Sequence, residues 1–332
     1  MKPVRWGVIS TANIGVAKVL PGMMKSKQIE MLGIASRDLK LARKWGKKLG
    51  IPRAYGSYEE LLADPDIEAV YNPLPNHLHV PMTLAAVKAG KHVLCEKPIA
   101  ITAAEAEQLR NLPQDRLVAE AFMVRHHPQW IEARKRVRAG QIGEVRAIQA
   151  GFSYFLVDPA NVRNKADIGG GGILDIGCYP VVVSRFIFEA EPVRAFALID
   201  RDPAMKTDRL ASCVVDFGEG RRLDFTISTQ LVSHQRVDIL GTKGRIELPI
   251  PFNAPQGKAT RIKLDKGAKL GGTAAKSIAI KACDQYQLQG EAFGRAVRGV
   301  APLAYGVEDS IRQMRVLDAL FRSGESGRWE TI

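Results

Sequence analysis

The nine residues from Gly7 to Gly15 read GVISTANIG and have the composition of a phosphate-binding turn. Such a turn needs small residues, because its backbone N–H groups must approach a dinucleotide pyrophosphate at the start of a helix. Against the pattern G-x-G-x-x-G, Ser10 and Ala12 stand at the first two glycine positions and Gly15 at the third. The predicted cofactor contacts in this segment are Ser10, Thr11, Ala12, Asn13 and Ile14. A tight turn without a ligand has the same composition and remains the alternative.

A second polar cluster follows the next apolar segment, where Ser36, Arg37 and Asp38 come directly after Ala35. In dinucleotide-binding folds, a residue about 20 positions past the turn contacts the adenosine ribose. A hydroxyl and a guanidinium at this place favour a 2′-phosphate, since arginine binds a phosphate dianion through paired, charge-assisted hydrogen bonds. We therefore predict that Ser36 and Arg37 select NADP over NAD. For Asp38 two alternatives are open, contact with the ribose or capping of the following helix.

Residues that bind metals are too scattered to predict a metal site. The neighbouring histidines His126 and His127 have no cysteine or carboxylate at ligand spacing. The four cysteines include no CxxC pair, which argues against a zinc ribbon and against a disulfide framework. The chemistry expected of this sequence therefore involves no metal.

The first third of the chain alternates short apolar strands with helices. Strands are predicted over residues 3–10, 29–36, 69–72, 92–95 and 117–121, and helices over 13–25, 39–49, 58–63, 78–89 and 103–112. This alternation is typical of parallel βαβ units, and apolar strands without strict alternation fit a sheet covered on both faces. We predict that residues 1–122 form an α/β Rossmann-type, NAD(P)-binding domain with a doubly wound parallel sheet.

After about residue 122 the pattern changes to longer runs in which apolar and polar residues alternate. Strands are predicted over residues 144–156, 193–199, 211–217, 221–230 and 235–240, and helices over 127–139, 173–188, 285–298 and 307–321. Such alternation indicates a sheet with one solvated face. Residues 249–281 are rich in Pro, Gly and Lys and are predicted to be surface loop or partly disordered. Residues 123–332 are thus predicted to be an α+β domain with a large open mixed or antiparallel sheet, serving substrate binding and oligomerisation.

The basic balance of the chain, a net charge of +13 over 332 residues, does not predict a nucleic-acid partner. The basic clusters at residues 40–48 and 134–138 fall in predicted helices and lack the interleaved aromatic residues of a single-strand binding surface. No apolar run approaches the ~20 residues that span a bilayer, and the N-terminus lacks the pattern of a signal peptide. We expect a cytoplasmic protein with no membrane partner.

Further motifs follow the opening turn in order along nearly the whole chain. They are NPLPNHLH over residues 72–79, Glu96-Lys97-Pro98 directly after a predicted strand, EAFMVRHHPQW over 120–130 and GGGILDIGCY over 170–179. Together they resemble the family of glucose–fructose oxidoreductase, inositol dehydrogenase and rhizopine-catabolism enzymes. Within it, the chain is most similar to the branch of dimeric dihydrodiol dehydrogenases and NADP-dependent D-xylose 1-dehydrogenases. Many other members have His where this chain has Tyr179.

The resemblance implies hydride transfer between a nicotinamide and a substrate carbon, at a site between the two domains. It assigns Lys97 and Tyr179 as the acid/base pair, because an ammonium stabilises a developing alkoxide and lowers the pKa of a neighbouring phenol. Asp175 lies four residues before Tyr179 on a predicted helix and would orient substrate hydroxyls or the Lys97 ammonium. The cofactor contacts that the resemblance adds are Asn76, His79, Glu96 and Lys97. For Asn76 and His79, helix capping or surface placement is the alternative.

Three further groups border the expected site. Pro98 fixes the backbone after Lys97, and X–Pro bonds near functional turns are sometimes cis. Glu120 and the segment 125–127 lie at the domain junction. Phe152, Tyr154 and Phe155 are predicted to belong to the sheet core, with a pocket wall as the alternative.

The main functional prediction is an NADP-dependent oxidoreductase that acts on a sugar, polyol or cyclic diol. One alternative is a redox-neutral, NAD-dependent, glycosidase-like enzyme, which Ser36 and Arg37 argue against. The other is a non-catalytic dinucleotide-sensing regulator, which the intact Glu-Lys-Pro motif and Tyr179 argue against. The resemblance also implies a homodimer or homotetramer that associates through the C-terminal sheet.

Overall fold

Six short strands form a parallel sheet in the first third of the chain. The sequence predicts the parallel sheet and five of these strands, but not the strand Arg53–Tyr55. The computed structural model describes residues 1–332. The strands are β1 (Val4–Ile9), β2 (Ile29–Ala35), β3 (Arg53–Tyr55), β4 (Ala69–Asn72), β5 (His92–Cys95) and β6 (Val118–Glu120). Their order is β3-β2-β1-β4-β5-β6. The direction of chain progression reverses between β1 and β4, and ligands of open α/β sheets bind at such a switch point.

The helices of this part follow the strands, and three of the five begin at side-chain caps. They are α1 (Leu20–Met23) after a π-helical turn over Gly15–Val19, α2 (Leu39–Leu49), α3 (Tyr58–Ala63), α4 (His79–Lys88) after a 3-10 turn over Asn76–Leu78, and α5 (Ala103–Glu107). Asp38, Ser57 and Thr102 each accept backbone N–H groups at the start of a helix. These residue types are preferred at that position because they satisfy otherwise unpaired donors.

Nine strands form a mixed sheet in the second part of the chain, which confirms the predicted open sheet. They are β7 (Val145–Phe155), β8 (Arg194–Arg201), β9 (Asp208–Asp216), β10 (Arg222–Ser228), β11 (Gln230–Gly241), β12 (Gly244–Leu248), β13 (Lys258–Asp265), β14 (Lys276–Cys283) and β15 (Glu330–Thr331). Their order is β14-β13-β12-β11-β7-β10-β9-β8-β15. Only β7 and β10 pair in parallel.

The predicted loop over residues 249–281 is wrong in part, because residues 258–265 and 276–281 belong to the strands β13 and β14. Ile262 and Ile280 bury their side chains between lysines and other polar residues of the two strands. Ile262 pairs with Ile278 across the antiparallel ladder. The lysines and glycines of the segment hide this alternation from a reading by composition.

The remaining helices are α6 (Pro128–Arg138), α7 (Cys178–Phe188), α8 (Gln285–Val297) and α9 (Val307–Ser326). Helix α7 is preceded by a π-helical turn over Ile173–Gly177 and buries every one of its residues. By length and composition alone the helical stretch Ala166–Phe188 could cross a membrane, yet 94% of its most apolar window is buried within the protein. Burial of that extent is typical of a core helix.

The chain divides into an N-terminal unit, Met1–Met123 with Asp284–Ile311, and a C-terminal unit, Val124–Cys283 with Arg312–Ile332. The predicted division after residue 122 is therefore corrected, because the segment that carries α8 returns to the N-terminal unit. Phe293 of α8 packs on Trp6 with ring centroids 5.4 Å apart. A Cβ at Gly290 would lie 2.7 Å from Ile29, so this glycine permits the close approach of α8.

Candidate active site

The turn after β1 has the backbone that the glycine pattern requires. Ser10 adopts a φ of 144°, which residues with a Cβ rarely do, at the position of the first glycine. Its Oγ accepts the N–H of Ala12 at 2.9 Å and stabilises the turn. A Cβ on Gly15 would lie 3.5 Å from Pro73 and Tyr71, which is ordinary contact. The predicted contact residues Ser10, Thr11, Ala12, Asn13 and Ile14 all keep accessible surface.

The polar cluster after β2 presents an arginine. Ser36 is buried, and its Oγ accepts the N–H of Asp38 at 3.2 Å. Asp38 Oδ1 accepts the N–H groups of Lys40 and Leu41 at 2.8 and 3.3 Å, so capping of α2 is the alternative that holds. The Arg37 side chain is exposed and forms no hydrogen bond or ion pair with the chain. Its donors are available to an anionic ligand.

Three side chains of the N-terminal unit fix the loop Glu96-Lys97-Pro98 that follows β5. The Tyr71 hydroxyl donates to Glu96 Oε1 at 2.6 Å, and burial raises the pKa of Tyr71 well above its ordinary value, which keeps it a donor. Glu120 Oε1 accepts the N–H of Ile99 at 2.9 Å. The ring of His79, described next, contacts Pro98. The half-buried Lys97 therefore extends from a well-fixed backbone, and its bond to Pro98 is cis.

His79 links two loops of the N-terminal unit from a buried position. Its Nδ1 lies 2.6 Å from the carbonyl oxygen of Pro98, and its Nε2 lies 2.6 Å from that of Leu74. The residue is 1% exposed, and burial lowers the pKa of its imidazole to about 4. Neither alternative considered for His79, helix capping or surface placement, describes its side chain. Asn76 lies in the same segment and is half-buried.

In the C-terminal unit, Tyr179 belongs to an aromatic cluster. Its ring centroid lies 5.9 Å from that of Phe152 and 5.4 Å from that of Phe252, and the residue is 6% exposed. Phe152 is a core residue, as predicted. Phe155 is 66% exposed, so the core role predicted for it is wrong. It lies three positions after Phe152 on β7, and side chains so spaced on a strand point to opposite faces of the sheet.

Asp175, one helical turn before Tyr179, receives two hydrogen bonds on one oxygen. The Tyr154 hydroxyl donates to Asp175 Oδ2 at 2.6 Å, and Arg163 Nε donates to the same atom at 3.1 Å. Burial and the Asp175 charge raise the pKa of Tyr154, so it stays protonated. Tyr154 therefore binds Asp175 instead of filling the core, because its hydroxyl needs a partner. Arg163 is not predictable as a site residue from the sequence, because the short turn that carries it shows no motif and no periodic pattern.

Two glycines bring this cluster together. Gly171 has a φ of 117°, and a Cβ there would lie 1.9 Å from Asp208 Oδ1. A Cβ on Gly170 would lie 2.6 Å from the carbonyl oxygen of Arg163. Asp208 Oδ2 accepts the N–H of Ile173 at 2.5 Å, and burial raises the pKa of this carboxyl to about 6. Asp208 is not predictable from the sequence either, because the glycine run indicates a close contact but not which residue makes it.

The helix that carries Asp175 does not begin as a regular α-helix. The predicted helix over residues 173–188 exists, but its first turn, Ile173–Gly177, is π-helical. The turn after β1, Gly15–Val19, is π-helical too. Such turns are rare and frequent at functional sites. Both precede helices that the sequence assigns to the candidate site.

Histidine and cysteine side chains meet once outside the candidate site, without forming a metal cluster. His127 Nδ1 accepts the N–H of Gln129 at 3.1 Å, while its Nε2 lies 3.3 Å from Cys283 Sγ. Burial lowers the pKa of His127 to about 4. The structure contains no group of three or more His, Cys, Asp or Glu side chains that could hold a metal ion.

Comparisons with known proteins agree with this geometry. The model of an oxidoreductase family with an NAD-binding Rossmann fold matches residues 4–123, and that of the GFO/IDH/MocA C-terminal domain matches residues 130–247. An uncharacterized oxidoreductase of Rhizobium meliloti is 48% identical over 100% of both chains. The D-xylose 1-dehydrogenase (NADP(+)) 2 of Haloferax volcanii is 36% identical over 97% of this chain and 98% of its own.

The fold also matches solved structures. KijD10, a 3-ketoreductase from Actinomadura kijaniata in complex with NADP and TDP-benzene, is similar with a TM-score of 0.90 and 29% identity. The match covers 97% of this chain and 98% of that one. Family models and relatives thus agree over both units of the chain. The protein belongs to the GFO/IDH/MocA family of oxidoreductases.

Proposed function

We propose that this protein is an NADP(H)-dependent oxidoreductase that acts on the CH–OH group, or the corresponding carbonyl, of a sugar, polyol or cyclic diol. The observation that carries the proposal is the Glu96-Lys97-Pro98 loop, which Tyr71, His79 and Glu120 fix from three sides. Such fixing is expected where a lysine must meet a reacting oxygen in one geometry. The NADP-dependent xylose dehydrogenase and the NADP-bound ketoreductase among the similar proteins support the cofactor and the substrate class.

The residues of the N-terminal unit fit a dinucleotide with a 2′-phosphate. The glycine-like backbone of Ser10 lets the turn approach a pyrophosphate, which the segment 10–14 would hold. Ser36 and the unpaired Arg37 would hold the 2′-phosphate. Asn76, Glu96 and Lys97 would border the nicotinamide, with His79 acting through the loops that it links. When bound, the cofactor supplies or accepts the hydride.

The proton of the reaction passes through side chains of this chain. In oxidation, Tyr179 accepts the hydroxyl proton of the substrate while the hydride leaves the carbon that carries this hydroxyl. Lys97 stabilises the negative charge that develops on the substrate oxygen. Asp175 accepts a hydrogen bond from a neighbouring substrate hydroxyl and so orients the sugar. In reduction, the same groups act in reverse, and Tyr179 donates the proton.

The proposal also covers the separate roles of the two units and the assembly of the protein. The N-terminal unit would bind the cofactor in the cytoplasm, and the C-terminal unit would bind the substrate and mediate a homodimer or homotetramer. A hollow of about 550 Å³ on the sheet of the C-terminal unit contains none of the candidate catalytic residues. Leu198, which lines it, is 72% exposed. Phe155, which the alternation of β7 places on the same face of the sheet, is 66% exposed. Exposed apolar side chains that share one sheet face support association through it.

The test is a comparison of NADPH and NADH binding to the purified protein, followed by turnover of aldoses, osones and diols. Lys97→Ala is expected to abolish turnover and to leave NADPH binding within a few-fold of wild type. Lys88→Ala, which removes an exposed lysine at the end of α4, is the matched control and should behave as wild type. NADPH binding without any turnover would favour the regulator. NADH preference with cleavage of a glycoside would favour the redox-neutral enzyme.

A further inference from the structure

Arg163 donates its Nε–H to Asp175 Oδ2 at 3.1 Å, on the carboxylate that also accepts the Tyr154 hydroxyl. We propose that Arg163 is a positioning residue of the reaction. It fixes Asp175, which lies one helical turn from Tyr179, and offsets the negative charge of that carboxylate, so that the Tyr179 phenol can give up its proton. The inference rests on the proposed function, in which Tyr179 exchanges the proton of the substrate.

The backbone of Arg163 is held on both sides. Its N–H donates to Asn161 Oδ1 at 3.1 Å, and its carbonyl oxygen accepts the N–H of Gly171 at 2.8 Å. The neighbouring Asn164 is 4% exposed and donates to the carbonyl oxygen of Asp158 at 2.8 Å. A side chain that extends from so ordered a loop loses less conformational entropy when it forms an ion pair. The loop therefore presents the guanidinium in one place.

The charges around Tyr179 explain why a cation is needed there. Asp175 lies one helical turn away, and a carboxylate so close disfavours a second negative charge on the phenol. Asp208 on β9 adds a further negative charge once it ionises. Tyr154 on β7 is neutral, so its hydrogen bond to Asp175 leaves the net charge of that carboxylate in place. Without Arg163, the Asp175 carboxylate would oppose the phenolate that the proposed oxidation requires.

The charges of Arg163 and of a Tyr179 phenolate interact, so each affects the protonation of the other group. The pKa of Arg163 is raised chiefly by Asp175, and the negative charge of a Tyr179 phenolate contributes to the same shift. Because electrostatic coupling is reciprocal, the guanidinium favours the phenolate to the same extent. The Arg163 side chain is 41% exposed and that of Asp175 is 14% exposed, so the pair lies at the edge of the protein interior. Because a contribution to stability does not require a change in the titration of Tyr179, that titration separates it from the proposed role.

The proposal is tested by titration of Tyr179 in the full-length protein without cofactor or substrate. The chain contains seven tyrosines, and subtraction of the Tyr179→Phe titration isolates one of them by tyrosinate absorbance. In Arg163→Met the midpoint should move upward by about one pH unit, as expected for loss of a neighbouring charge. Arg163→Lys should stay close to wild type. Circular dichroism at each pH keeps the comparison to folded protein.

The double variant Arg163→Met/Asp175→Asn separates charge from shape, because it removes both members of the pair. Its midpoint should return most of the way to the wild-type value. A midpoint in Arg163→Met that coincides with wild type would overturn the proposal, and so would a double variant shifted as far as Arg163→Met. If Arg163→Met does not fold, Arg163→Gln gives the same comparison.

Once a substrate is known, the pH profile gives a second readout. In the direction of oxidation, the rising limb of kcat/KM should move to higher pH in Arg163→Met, with a loss of about tenfold near neutrality for a shift of one unit. A uniform loss at every pH, with the limb in place, would indicate a structural role only and would overturn the proposal. The titration needs no turnover, so its result stands even if the proposed function fails.

Discussion

His79 Nδ1 lies 2.6 Å from the carbonyl oxygen of Pro98, in the loop that presents Lys97. Its other ring nitrogen lies equally close to the carbonyl oxygen of Leu74, so a single imidazole joins the loops after β4 and β5. A neutral ring carries only one N–H and can donate to only one of the two oxygens, whereas a charged ring would satisfy both. Burial is nevertheless the largest influence on this group and lowers its pKa to about 4, so the ring is neutral near pH 7.

The first prediction concerns this link. His79→Phe keeps most of the ring volume but leaves one buried carbonyl group without its N–H donor, at a cost of about 1–3 kcal/mol in unfolding free energy. Loosening of the loop should also lower kcat by at least tenfold, because Lys97 loses its fixed geometry. His79→Gln, whose amide can still donate to one carbonyl, should have a stability and a kcat between those of wild type and His79→Phe. Urea unfolding and steady-state kinetics give both numbers. Wild-type kcat in His79→Phe would show that the link does not position Lys97.

The second prediction is a loss of stability on mild acidification. His79 and His127 have pKa values of about 4, below the ordinary 6.5, so between these values the unfolded chain binds more protons than the folded chain. The free energy of unfolding therefore falls as the pH falls through this window. A shift of about 2.5 pKa units corresponds to ~3 kcal/mol per group over the whole window.

Asp208 acts in the opposite direction. Burial raises its pKa from 3.8 to about 6, so the folded chain binds the proton more tightly and gains stability as the pH falls between these values. The stability lost through the two histidines exceeds the stability gained through one aspartate. The free energy of unfolding should therefore fall between pH 6.5 and pH 4.5. Urea unfolding across this range should show a flatter dependence in His79→Gln and a steeper one in Asp208→Asn. An unchanged slope in both variants would contradict the assignment.

Much of the fold is predictable from the sequence because periodicity reports burial directly. The alternation of apolar strands and helices before residue 122 predicts the parallel sheet, and the six-stranded order bears it out. The predictions fail where contacts between residues far apart in sequence determine the domain or the burial of a segment. Phe293 packs on Trp6, so α8 returns to the N-terminal unit, and no local pattern announces that contact. In β13, Ile262 is buried in an otherwise polar strand, and the element that packs on β13 and β14 is the distant helix α6.

The candidate site divides in the same way. Asp38 caps α2, as its residue type before a helical pattern indicates, and Ser10 takes a glycine-like φ at the position where the motif has its first glycine. Arg163 and Asp175 are 12 residues apart with a glycine-rich loop between them, so their contact depends on the path of that loop. His79 was associated with the cofactor region, but its burial against two carbonyl groups depends on how the loops after β4 and β5 converge.

The third prediction tests the glycine run before α7. Gly171→Ala should destabilise the protein by more than ~2 kcal/mol, because the new Cβ would lie 1.9 Å from Asp208 Oδ1 and φ is 117°. Gly218→Ala is the matched control, since φ is 71° there but no atom lies within 4 Å of the new Cβ. It should lose only about 1 kcal/mol from backbone strain. Equal losses in chemical unfolding would show that the contact with Asp208 is relieved at little cost.

The fourth prediction tests cofactor selection at Arg37. Arg37→Ala removes the exposed, unpaired guanidinium and should weaken NADPH binding by about 10- to 100-fold, the loss expected for a charge-assisted bidentate contact. NADH binding should change by less than threefold, because that cofactor has no 2′-phosphate. Arg43→Ala removes another exposed arginine of the same region, on α2, and should alter neither affinity beyond general electrostatics.

Binding is measured by calorimetry at two salt concentrations, since a contact with phosphate weakens as ionic strength rises. The ratio of NADPH to NADH affinity in wild type should fall with salt, and in Arg37→Ala it should be small and nearly independent of salt. An equal loss of NADPH and NADH affinity in Arg37→Ala would mean that the arginine stabilises the turn or the pyrophosphate instead. Selection of NADP would then have to come from another group near Ser36.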